Sequence, residues 1–162
     1  MDKNLLNDIL SDIRVELGDE FDSNFSRGGF FGSAWKKTLD NRKSHLQQTG
    51  KLRRSIRGRV SGQSVVFSSS EPYAAIHNEG GEITVTRKMQ RFFWAQYYKE
   101  GRKGARADMY KKLAIKRVGT KLQIPQRQFI GDHKKIRESI KEIVTENVRQ
   151  AAVTTLQKLN EQ

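Results

Sequence analysis

The feature that most constrains this chain is an apolar stripe near its end. Ile136, Ile140, Ile143, Val144, Val148, Ala151, Ala152, Thr155 and Leu159 recur at spacings of three and four. That period predicts one helix over residues 134–160, roughly 39 Å long at 1.5 Å per residue, with Asp132 as its N-cap. A rod with one apolar side must lay that side against other elements. Leu6, Ile9, Leu10, Ile13 and Leu17 repeat the pattern at the start and predict a first amphipathic helix that Gly18 closes.

Between these helices the period changes. Ser26 to Ser33 reads as a glycine-rich loop pinned by Phe30, Phe31 and Trp35, and Lys36 to Gln48 as a polar loop or arm. Leu52, Ile56 and Val60 alternate with Arg53, Ser55, Arg57 and Arg59, the two-residue rhythm of a half-buried strand with a basic outer face. Ser61-Gly62 marks a turn, and Val65, Val66 and Phe67 supply the returning strand. Tyr73 to Glu79 fits a short helix ended by Gly80-Gly81. Ile83 and Val85 form a third strand, and Leu122 and Ile124 a fourth that Pro125 stops. Residues 87–120 carry two helical periods broken at Glu100 to Gly104, a helical hairpin inserted between the last two strands. The fold expected is α+β: one domain over residues 1–162, with an antiparallel sheet of about four strands packed by the N-terminal and long C-terminal helices.

Charge is regional. Lysines and arginines number 31 against 18 acids, a net charge of +13, but Lys36 to Lys121 alone holds 21 basic and 6 acidic residues. The ends are slightly acidic, and residues 1–22 carry seven acids against Lys3 and Arg14. The basic middle suits an anionic partner, either a phosphate chain or the acidic end of a neighbouring copy. The longest apolar run falls far short of the ~20 residues of a membrane span, and the opening segment lacks a basic leader before an apolar stretch. The expectation is a soluble, unexported protein with no membrane partner.

Absent cysteines remove disulfides, thiolate metal sites and cysteine nucleophiles. His45, His77 and His133 lie in separate segments without metal-ligand spacing, and neither a nucleophile elbow nor a phosphate loop occurs. The six acids of the middle are scattered over different elements, which argues against a metal-dependent nuclease. No catalytic residue, metal or cofactor is assigned. His77 reads as a local hydrogen-bonding residue at the end of its short helix. Phe92, Phe93, Trp94, Tyr97 and Tyr98 cannot all be buried by one neighbouring helix, so they read as a subunit or partner contact in preference to a base-stacking platform. Arg53, Arg57 and Arg59 form a basic surface that faces either DNA or another subunit.

Four patterns occur in order: Phe31-Gly32-Ser33-Ala34-Trp35; Thr49-Gly50-Lys51-Leu52-Arg53-Arg54-Ser55-Ile56; Tyr73-Ala74-Ala75-Ile76-His77-Asn78-Glu79-Gly80-Gly81; and Ile124-Pro125-Gln126-Arg127-Gln128-Phe129-Ile130-Gly131. Together they resemble the phage virion morphogenesis family, the tail-completion proteins that include the Mu-like G proteins and are similar to neck and tail-terminator proteins. The resemblance implies an α+β subunit without catalysis. It implies assembly into a homo-oligomeric ring, a hexamer among the candidate sizes, that meets other tail or neck proteins in the host cytoplasm and then stays in the virion. Non-specific DNA contact is left open. It also marks Trp35, Gly50, Tyr73, His77, Asn78, Gly80, Gly81, Pro125, Arg127, Phe129 and Gly131 as structural motif residues. The insert over residues 87–120 is longer than the simple hairpin expected of the smallest members.

Overall fold

The computed structural model describes residues 3–36, 46 and 49–160; the rest of the polar segment expected between Lys36 and Gln48 lies outside them. The elements run α1 (Lys3–Arg27), β1 (Gly29–Phe30), β2 (Ser33–Ala34), α2 (Lys51–Ser55), β3 (Ile56–Ser61), β4 (Ser64–Ser69), α3 (Ala74–Glu79), β5 (Gly81–Thr84), α4 (Arg87–Lys99), α5 (Ala105–Ala114), β6 (Lys121–Ile124) and α6 (Lys134–Asn160). Mixed α and β architecture, antiparallel pairing, the two terminal helices and the helical insert are as the periodicities indicate. Among the described residues, however, the strands make three separate two-stranded pairs, β1 with β2, β3 with β4 and β5 with β6, instead of one sheet.

The spine is α1, and it does not stop at Gly18. Leu17, Phe21, Asn24 and Phe25 continue its buried stripe to the end of the helix. A mid-helix glycine costs about 1 kcal/mol, less than the roughly 1.5–3 kcal/mol gained by burying a single phenylalanine, so packing carries the helix through. Along most of its length, Ile9, Ile13, Leu17 and Phe21 join Phe30 and Ile136, with Val65, Phe67, Ile140 and Ile143 packed around them. Phe67 meets Phe21 edge-on at 4.9 Å, which seats the β3–β4 hairpin on the helix. At its far end, Phe25 belongs to a second cluster with Trp35, Leu46, Leu52, Ala74 and Phe129.

Two further expectations are corrected. Lys51–Ser55 is one helical turn, and the strand begins only at Ile56. Gly50, in the left-handed region with φ 63°, starts that turn, and coiling it buries Leu52 at 2% exposure. Asp132 does not cap α6, since its carboxylate takes the guanidinium of Arg137 at 2.8 and 3.1 Å. His133 sits at the boundary instead, and its Nδ1 accepts from the amide of Lys135 at 3.2 Å.

Helix α6 is long, as its stripe requires, but only its first half is covered. Ile136 is buried and Ile140 and Ile143 pack on the core, and Asn147 donates to Asp12 of α1 at 2.9 Å. Val148, Leu156 and Leu159 are 46, 61 and 63% exposed. Phe21→Ala should therefore cost about 3–5 kcal/mol in urea unfolding, whereas Leu156→Ala should stay within about 0.5 kcal/mol of the parent at dilute protein concentration. A large effect of Leu156→Ala in the dilute monomer would contradict this division of the helix.

Candidate functional site: a latched strap and two unpaired helix faces

The four sequence patterns converge on one extended strap, residues 125–131. Pro125 follows β6 and supplies no amide to extend its ladder. With no strand alongside, the strap's buried backbone groups must find other partners. The amide of Arg127 donates to the carbonyl of His77 at 2.8 Å. One side-chain oxygen, Oδ1 of Asn78, accepts from the amides of Phe129 and Ile130 at 2.9 and 3.1 Å. Nδ2 of the fully buried Asn24 donates to the carbonyl of Phe129 at 3.3 Å, while its Oδ1 accepts from the amide of Phe31 at 3.2 Å. Trp35 Nε1 donates to the carbonyl of Gln128 at 2.6 Å.

Phe129, fully buried, is what these bonds hold in place. Its ring lies 5.1 Å from that of Phe25, and Trp35 meets Phe25 edge-on at 5.7 Å. Gly80 lets the strap approach: with φ 76° and ψ −175° it occupies backbone space reserved for glycine, and a Cβ there would stand 2.9 Å from the backbone nitrogen of Gln126. Gly81 opens β5 opposite Ile124, and Gly131 ends the strap with φ 144°. Tyr73 precedes α3, 38% exposed, and its ring meets His77 edge-on at 5.9 Å. Asn24 carries no sequence-derived assignment above. Its signal was a polar residue inside the stripe of Phe21 and Phe25.

His77 sits beside the strap with a buried Nδ1 that has no hydrogen-bond partner among the described residues. Burial, reinforced by the nearby positive charge of Arg127, lowers its pKa below the ordinary histidine value. Arg127 is itself 7% exposed, and its Nε donates to the carbonyl of Lys36 at 3.3 Å. Among the described residues no three metal-ligating side chains gather in one place, and no helix is long and apolar enough to cross a membrane.

The basic surface expected of Arg53, Arg57 and Arg59 divides. Arg53 is on α2, where its guanidinium forks onto both carboxylate oxygens of Asp22. Arg57 and Arg59 stand exposed on β3, opposite Ser68 and Val66. The aromatic segment forms α4, which has no fully buried residue and packs along α5. Phe93, Trp94 and Tyr97 are half-buried on its inner side, where Lys111 lies over the ring of Tyr97 at 6.0 Å. Phe92 and Tyr98, 54 and 60% exposed, point outward, among the exposed cations Arg87, Lys88, Arg91 and Lys99. A different exposed face is acidic: Asp8, Asp12, Glu16 and Asp19 follow one another along the outer side of α1.

Two outcomes follow from the strap. Asn78→Ala orphans two amides and should cost about 2–6 kcal/mol in chemical unfolding, at roughly 1–3 kcal/mol for each buried group left unpaired; a loss under about 0.5 kcal/mol would show that the strap holds without its latch. For His77 the depressed folded pKa means that the unfolded chain takes up the proton first as pH falls. Its contribution is thus intact above about pH 6.5 and declines below it, toward the folded-state pKa. Melting from about pH 7.5 down to about pH 5.5 should show a smaller fall for His77→Gln than for the parent, and equal falls would refute the assignment.

Comparison with known proteins bears on what this scaffold is for. A family model described as the phage virion morphogenesis family matches residues 7–149, from the first helix through most of the last. No curated protein and no solved structure matches the chain. The matched span contains the strap, every residue that latches it and both unpaired helix faces, and the chain belongs to the phage virion morphogenesis family.

Proposed function

We propose that this chain is a ring-forming subunit that completes the tail of a phage or prophage or joins tail to head, and that it acts by surface contact without catalysis. Membership of the family gives it a structural part in virion assembly; the ring and its position at the tail or neck are the proposal. The observation that carries it is apolar surface left uncovered on elements that extend from the body: Phe92 and Tyr98 on α4 are 54 and 60% exposed, and Leu156 and Leu159 on α6 are 61 and 63% exposed. Exposed apolar groups gathered on two separate elements suit a subunit covered by neighbours on more than one side.

The second reading, a nucleic-acid-binding module, is favoured by one observation, the concentration of 21 basic against 6 acidic residues between Lys36 and Lys121. The two readings differ in their response to salt. Contacts anchored by aromatic and apolar side chains should persist from about 50 to 200 mM salt, whereas engagement of six to ten phosphates should lose about 10³ to 10⁵ in affinity over that range. Sedimentation of the purified chain, with and without duplex DNA, should show a discrete closed oligomer that survives the higher salt. A chain that stays monomeric at high concentration and shifts only with DNA would overturn the ring.

A further inference from the structure

The insert between β5 and β6 stands apart from the body of the protein. Neither hydrophobic cluster contains a residue of 81–124; its buried side chains are Val85 at its base and Ala107 and Ala114 on α5. Residues 87–120 carry eleven cations against Glu100 and Asp108, and Glu100 is already paired with Arg106 at 3.1 Å. The outward face of α4 is left with Arg87, Lys88, Arg91 and Lys99 around Phe92 and Tyr98, all exposed and with no acid among them. Such a face repels itself, so it does not suit a symmetric contact with the same face of another copy.

The complement lies on this same chain. Asp8, Asp12, Glu16 and Asp19 occur at intervals of four, four and three, which aligns them along one side of α1. At 1.5 Å per residue this row spans about 17 Å, and the cations from Arg87 to Lys99 span about 18 Å. Val15, 50% exposed, lies within the acidic row as Phe92 and Tyr98 lie within the basic one. Each face therefore offers an apolar centre with charge around it, the layout of a protein contact with a dry core and a polar rim. Asp22 and Glu20, nearer the end of α1, already have arginine partners within the subunit. Asp8, Glu16 and Asp19 have no ion pair among the described residues.

We infer that the outward face of α4 docks on the acidic face of α1 of a second copy, so that subunits join head to tail through two unlike surfaces. A contact of this kind leaves one free face of each sort at every step, and it ends only when a ring closes. The inference rests on the ring reading and specifies its contact. DNA is the competing occupant of the basic face, but it would leave the matching acidic row and its exposed valine unexplained.

The test is a charge exchange read by sedimentation velocity near about 0.1 M salt. One variant carries Asp8→Lys, Glu16→Lys and Asp19→Lys; the other carries Lys88→Glu, Arg91→Glu and Lys99→Glu. Asp12 is left alone because Asn147 bonds to it. Each variant by itself presents two like-charged faces and should associate at least about tenfold more weakly than the parent. Mixed in equal amounts, the two should regain assembly, because each supplies the face that the other now needs. Recovery in the mixture also shows that both variants are folded. Unchanged assembly of either variant alone, or a mixture that stays dissociated while the parent assembles, overturns this contact and leaves the ring reading standing. A parent chain that never assembles overturns both. Loss of DNA binding by the glutamate variant with its self-association intact assigns the basic face to nucleic acid and likewise overturns the contact.

Discussion

An unpaired stretch of backbone sets the terms for the rest of this structure. The strap of residues 125–131 pairs with no described strand and buries Arg127 and Phe129, and a buried amide or carbonyl without a partner costs about 1–3 kcal/mol. Side chains from three other regions meet that demand: Asn24 from α1, Trp35 after β2 and Asn78 from α3. Each bond joins segments far apart in sequence, Asn24 and Phe129 being 105 residues distant. Satisfying the strap and burying Phe129 are the same event, because the ring enters the second cluster only when the backbone on either side of it is held. That is why several short motifs with no evident chemistry occur together: they are the parts of one latch.

With the latch closed, the body is α1 with material packed along it, and two elements extend away from that body. The α4–α5 hairpin is rooted through Val85, whose amide and carbonyl bond to Thr120 and Gly119, and α6 runs on past its hydrogen bond to α1 at Asn147. Neither extension adds much to the stability of an isolated subunit, since its outer side chains are hydrated in the folded and unfolded states alike. Their exposed aromatic and aliphatic groups matter only when something covers them. Membership of the phage virion morphogenesis family gives the chain a structural part in virion assembly.

Electrostatics adds direction to that picture. The chain has a large positive charge, but α1 carries six of its 18 acids and residues 87–120 eleven of its 31 cations, so under the proposed contact a second copy would meet an attractive field in one orientation and a repulsive one in others. Individual exposed ion pairs are worth little, about 0–1 kcal/mol each. A row of them around an apolar centre selects register and partner more than it supplies affinity. The bidentate Arg53–Asp22 pair works within the subunit by contrast, tying the single turn of α2 to α1.

The sequence by itself determined the elements whose periodicity is long or whose turns are strongly marked. These include α6 over almost its full length, the β3–β4 hairpin around Gly62, α3 ended by Gly80 and the helical insert between β5 and β6. It also determined the division of charge and, through four short motifs, the family. Local pattern misread Gly18 and Leu52 because each depends on packing against segments distant in the chain, and Asp132 because its carboxylate pairs with Arg137 five residues on. Phe21 and Phe25 carry α1 past its glycine, the second cluster draws Leu52 into a helical turn, and Arg137 claims the carboxylate of Asp132. Only the tertiary structure decided that Arg53 leaves the company of Arg57 and Arg59, that Asn24 is a structural donor, and that the outer faces of α1 and α4 are largely exposed. The physical reason is the same throughout: propensity and period are worth tenths of a kcal/mol to about one per residue, and burial or an orphaned hydrogen bond is worth several times more.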